Sequence, residues 1–133
     1  MKVATAKDLK VYQLAYEVAQ EILRATKTFP PEEKFGLTSQ IRRSSRSVPM
    51  NLREAWAKRR YEAHFVSKLT DCDGESAETD TALDFALDAG YLSEEEHAIL
   101  VDKNRQVGKM LGAMINNPES FLVKDSLRSK KSN

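Results

Sequence analysis

The chain is short of the residues that punctuate or cross-link a fold. Of 133 residues, 1 is cysteine, 4 are proline and 5 are glycine. A lone thiol, Cys72, cannot close an internal disulfide, which fits a reducing cytoplasm. So few turn formers argue against a turn-rich all-β fold. Excess charge is missing as well: the net is +1. Any attraction to nucleic acid must then come from where charge lies rather than from its total. No apolar run approaches the length that spans a bilayer, so no membrane partner is expected. Residues 1–13 lack the apolar core of a signal peptide. There is no glycine-rich phosphate loop, since Gly36 and Gly74 stand isolated. The two histidines, His64 and His97, flank opposite ends of a long segment. An enzyme is not expected, and no cofactor is called for. These absences leave a soluble, cytoplasmic protein of one domain, with 41% apolar and 31% charged residues.

Charge that is small in total is sharply divided along the chain. Between Gly36 and Arg60, seven basic residues (Arg42, Arg43, Arg46, Arg53, Lys58, Arg59 and Arg60) oppose only Glu54. From Asp71 to Asp102 there is no lysine or arginine at all. At helical spacing Arg42, Arg46, Arg53 and Arg60 share a face, and Leu37, Ile41, Val48, Leu52, Ala55 and Trp56 fall mainly on another.

Helical periodicity runs through the rest. Residues 1–7 read as a flexible lead. Val11, Leu14, Ala15, Val18, Ile22 and Ala25 recur at three- and four-residue steps, with Asp8 placed to cap or favour the first turn. Phe29-Pro30-Pro31 ends that helix. A second helix is expected from about Pro31 to Arg60, kinked near Pro49 or broken there, with Ser44, Ser45 and Ser47 placed to satisfy freed carbonyls. The third spans about Tyr61–Ala89 on a seam of Phe65, Leu69, Cys72, Ser76, Thr79, Leu83 and Ala86. Gly90 terminates it, and Ser93 with Glu96 forms a capping box for a fourth helix reaching Asn116. Residues 117–133 read as a mobile tail. The expected fold is therefore all-α, an up-down antiparallel four-helix bundle over residues 8–116.

Several strings also resemble a known family. They are Asp8-Leu9-Lys10-Val11, the run Phe35-Gly36-Leu37-Thr38-Ser39-Gln40-Ile41-Arg42-Arg43, then Ser47-Val48-Pro49 with Asn51 and Glu54, and Gly90-Tyr91-Leu92. The chain resembles the bacterial four-helix-bundle proteins first noticed as reading frames in intervening sequences of 23S ribosomal RNA genes. That resemblance implies a ring-shaped homopentamer. It also implies kinship with the accessory factor of diversity-generating retroelements, in which a basic surface meets nucleic acid and a reverse transcriptase. Around Glu54 and over Asp73–Glu78 the chain departs from the family pattern.

Two readings of the basic stripe follow. In one, Arg42, Arg43, Arg46, Arg53, Arg59 and Arg60 contact the phosphates of RNA or DNA, which guanidinium groups grip bidentately. In the other, they pair with the stripe Asp73, Asp80, Asp84 and Asp88, within the chain or between subunits. No aromatic platform alternates with the arginines, which argues against sequence-specific reading of single strands. A metal site is not expected: Glu94-x-x-His97 has di-iron spacing, but two such motifs and two further glutamates would be needed. Ser76 and Thr79 either bond back to the preceding turn or mark a wet centre or subunit contact.

Overall fold

A computed structural model describes residues 3–123. Four helices carry the fold: α1 (Lys10–Ala25), α2 (Leu37–Ala57), α3 (Glu62–Asp88) and α4 (Glu94–Asn116). Each packs on its sequence neighbour, and α4 closes on α1. Directions follow from paired positions. Arg42 of α2 reaches Thr26 just beyond α1, Asn51 of α2 meets Lys68 of α3, and Asp84 of α3 meets His97 of α4. Low positions meet high ones at every junction, so the bundle is antiparallel, up and down.

The core forms where the apolar periodicities converge. Along α3 the whole seam of Phe65, Leu69, Cys72, Ser76, Thr79, Leu83 and Ala86 is buried. It faces Val18 and Ile22 of α1, Ile41, Val48 and Leu52 of α2, and Leu100, Val107 and Leu111 of α4 within one cluster. Burying a side chain of this size stabilises the fold by about 1.5–3 kcal/mol. The polar seam residues are satisfied inside. Thr79 and Ser44 hydroxyls share a 2.8 Å hydrogen bond, and the Thr79 hydroxyl also donates to the Glu75 carbonyl at 2.9 Å. Asn104 Nδ2 donates to the Ser76 carbonyl at 2.9 Å. Back-bonding and a buried cross-helix layer therefore coexist.

The ends behave as their residues dictate. Gly90 has φ of +79°, which a side chain would resist. Tyr91 N–H donates to the Ala86 carbonyl at 2.9 Å and Gly90 N–H to that of Leu87 at 3.0 Å, a Schellman termination. The Ser93 hydroxyl accepts from Glu96 N–H and the Glu96 carboxylate from Ser93 N–H, both at 3.0 Å.

Several boundaries differ from the sequence-based expectation. Pro31–Glu33 forms a separate 3-10 turn, and α2 begins only at Leu37. That helix runs unbroken through Pro49, so two half-helices do not form. A helical proline costs about 3 kcal/mol; here Val48, Pro49 and Leu52 are all buried, which offsets it. The serines do not reach the Ser45 carbonyl that Pro49 frees: Ser44, Ser45 and Ser47 donate to Ile41, Arg42 and Arg43 carbonyls instead. Asp8 caps not α1 but the 3-10 turn Ala6–Asp8, accepting from Ala4 and Thr5 N–H. These two donors hold its carboxyl below the ordinary range. The lead expected to be flexible contains Ala6, which is fully buried. The tail expected to be mobile from residue 117 is packed as far as Val123: Leu122 is buried, Phe121 lies 6.3 Å from the Phe65 ring, and Val123 N–H donates to Arg59. The same expectation for residues 124–133 lies outside the described residues.

Candidate nucleic-acid interface

Successive residues of a helix point about 100° apart, so the arginines of α2 cannot all meet one neighbour. Arg43 faces α3. Its Nη1 donates to Glu75 Oε2 at 2.9 Å, and its Nη2 to Glu78. Burial opposes its charge, but the two carboxylates outweigh that and hold the guanidinium above its ordinary value. Arg42 turns towards α1, where its Nε donates to Thr26 Oγ1 at 2.7 Å. Arg59 and Arg60 lie beyond the last turn of α2, which ends at Ala57. Arg59 stacks over Trp56, its guanidinium carbon 4.1 Å from the ring centroid, and donates to the Trp56 carbonyl. Trp56 is half-buried beneath it and offers no open ring face on that side. Arg60 is exposed, with an interaction of its own.

Arg46 and Arg53 differ from these four. Seven residues apart on α2, both are exposed, and neither has a hydrogen-bond or ion-pair partner among the described residues. They border a groove of about 370 Å³ between α1 and α2. Tyr12 and Tyr16 of α1 line its far wall, Pro49 and Met50 lie beside the arginines on α2, and no carboxylate among the described residues lines it. Tyr12 and Tyr16 stack on one another, 6.1 Å between centroids and 26° between planes. Tyr16 is 50% exposed and Met50 65% exposed.

The aspartate stripe of α3 does not meet these arginines. Asp84 Oδ1 lies 2.8 Å from His97 Nε2, and Asp80 Oδ1 lies 3.7 Å from Arg105 Nε, both on α4. An α-helix turns 100° per residue, so Glu75 and Glu78 fall on the α2 side while Asp80 and Asp84 fall on the α4 side. Among the described residues Arg43 pairs with α3, through Glu75 and Glu78, which lie outside the expected aspartate stripe.

Sequence reasoning placed the arginines but missed the tyrosines. Tyr12 and Tyr16 precede Arg46 by thirty residues or more, and only packing of α1 against α2 brings them alongside. The one available signal was their spacing of four on α1, which puts both rings on one face.

The recurrent strings prove to be structural joints. Glu33 Oε1 accepts from Leu37 N–H at 3.0 Å, starting α2, while its Oε2 accepts from the Tyr91 hydroxyl at 2.9 Å. Phe29 packs on Tyr91 with ring centroids 5.3 Å apart. The Phe35-Gly36-Leu37 and Gly90-Tyr91-Leu92 strings therefore meet at one end of the bundle. At the middle of the α2–α3 junction Lys68 Nζ donates to Asn51 at 3.1 Å and pairs with Glu54 at 3.0 Å. Glu94, whose spacing to His97 raised a metal site, lies exposed in the first turn of α4, and the described residues hold no cluster of three or more metal-ligating side chains. Among the described residues no helix is long and apolar enough to cross a membrane.

Comparisons agree with the four-helix fold. The profile of the 23S rRNA-intervening sequence protein family matches residues 7–113. The fold is similar to that of a solved protein of unknown function from the S23 ribosomal protein family of Bacteroides thetaiotaomicron VPI-5482. That protein is 26% identical, with a TM-score of 0.72, and the match covers 79% of this chain and 97% of the other. No curated protein matches the chain.

Proposed function

The chain belongs to the 23S rRNA-intervening sequence protein family, and on that footing we propose that it is a non-enzymatic, homo-oligomeric adaptor that binds nucleic acid weakly and without sequence preference through α2. One observation carries this reading: Arg46 and Arg53 share a face of α2 and are left unengaged by the carboxylates among the described residues. A guanidinium has a fixed charge and a planar fork of donors suited to phosphate. Arg43 would add to the same surface only by exchanging its two carboxylates, a small cost since exposed ion pairs contribute about 0–1 kcal/mol. A ring of subunits, five as the family resemblance implies, would repeat the arginine pair and raise weak contacts to useful avidity.

The test is a titration of labelled RNA and duplex DNA at several salt concentrations. Binding is expected to fall steeply on a log–log salt plot, as counterions are released. Reversing Arg46→Glu and Arg53→Glu together should weaken binding and flatten the slope by about one per arginine on each bound subunit, at unchanged mass by light scattering. Binding unaffected by the reversal would overturn the reading. Loss of the oligomer on reversal would instead favour pairing of these arginines with carboxylates of another subunit, for which the exposed Asp73 and Asp88 are available on α3.

A further inference from the structure

The groove beside Arg46 and Arg53 has a character that phosphate contact alone does not require. Its α1 wall is aromatic, its α2 wall is apolar, and its α2 rim is cationic. Tyr16 leaves 50% of its surface exposed and Met50 65%, side by side with Pro49. A duplex presents phosphates, sugars and base edges, but its planar base faces are stacked inside and are not offered to such a wall. An unpaired base does. It can lie on a tyrosine ring while its flanking phosphates meet guanidinium groups, the combination by which single-stranded nucleic acid is held without sequence reading.

We infer that the α1–α2 groove is a single-strand site, in which Tyr16, backed by Tyr12, stacks an unpaired base, Met50 and Pro49 form the opposing apolar wall, and Arg46 and Arg53 hold the phosphates on either side. The inference rests on the nucleic-acid reading above and narrows it from any nucleic acid to unpaired strands, RNA or DNA. The absence of any carboxylate from the groove's lining among the described residues fits an anionic occupant. The 6.1 Å offset stack of Tyr12 and Tyr16 holds the outer ring in place, so little side-chain entropy is lost when a base lands on it. At about 370 Å³ the groove lies at the small end of ligand-site volumes, fitting one or two bases rather than a helix of a partner protein.

Labelled oligouridylate and oligodeoxythymidylate 12-mers, and a 12-base-pair duplex, would be titrated by fluorescence anisotropy against wild type, Tyr16→Ala, Tyr16→Phe and the double variant Arg46→Gln/Arg53→Gln. Circular dichroism and light scattering would confirm fold and mass, and a half-exposed ring leaves the core untouched. Tyr16→Ala is expected to weaken single-strand binding roughly 10-fold through loss of one base–ring stack, while Tyr16→Phe retains it and the duplex changes less than about 2-fold. The arginine variant should weaken all three ligands. Equal binding of single strands by wild type and Tyr16→Ala, with the arginine variant still weakened, would overturn the stacking site and leave the phosphate reading standing. Indifference to both variants would remove both. A change of mass in Tyr16→Ala would make the groove a contact between copies of the chain and overturn the inference.

Discussion

Thr79 and Ser44 meet in the centre of the bundle, each fully enclosed, where a methyl group would have served packing equally well. The Thr79 hydroxyl donates to Ser44 Oγ and lies within reach of the Glu75 carbonyl, while Ser44 donates its own proton to the Ile41 carbonyl. The pair thus fixes the register of α2 against α3 through two small side chains. Thr79→Val is isosteric but leaves the buried Ser44 Oγ without its donor, and it should lower stability by about 1 kcal/mol in urea unfolding. Adding Ser44→Ala removes the orphan and should recover most of that loss, the mark of a coupled pair. The sequence exposed half of this arrangement. Thr79 stood out as a polar residue on an apolar seam, whereas Ser44 was lost among serines beside Pro49. Asn104, which holds Ser76 from α4, carried the same kind of signal, four residues after Leu100 and three before Val107 on the buried face of α4, but the sequence reading passed over it.

Helix ends were the most legible elements, because their chemistry is local. Gly90 and the Ser93–Glu96 box act within a few residues of their own backbone. Gly90→Ala meets no neighbouring atom within 4 Å, so its whole cost is the left-handed backbone at φ +79°. A loss of about 1–2 kcal/mol by chemical denaturation is expected, with no change in the denaturant slope. The start of α2 was misplaced for the converse reason. Pro31, Glu32 and Glu33 carry good first-turn chemistry, but Glu33 is drawn away to cap Leu37 and to accept from Tyr91, fifty-eight residues on. Arg60 was assigned to the stripe of α2 on spacing, yet the helix ends at Ala57 and the chain turns into α3 there.

At the scale of the molecule, Cys72 reports on the integrity of the entire bundle. Its thiol is completely buried, and its Sγ faces the Val48 carbonyl across the α2–α3 junction at 3.7 Å. Burial, reinforced by the charge of Asp71, pushes its pKa up to about 12. A pKa raised by folding contributes stability that is complete below the ordinary thiol value. That stability declines as pH rises above it and is lost at about 12. Native protein at pH 8 should therefore resist a thiol reagent, and labelling should rise with denaturant in step with global unfolding. Rapid labelling of the native state would mean that α2 and α3 separate locally.

The sequence by itself determined four helices, their order, most of their ends and the seam of α3. Those features depend on residues within a turn or two of each other, where periodicity and capping chemistry act. Family membership was legible for a related reason: its strings build the joints at the ends of helices and along the α2–α3 junction. What only the tertiary structure decided was which charges find partners and which side chains share a surface. Arg43 takes Glu75 and Glu78, the aspartates of α3 turn to α4, and Arg46 and Arg53 remain beside two tyrosines from another helix. Such pairings depend on the rotation of each helix about its axis. That rotation is set by how all four apolar faces pack together, which no single stretch of sequence contains.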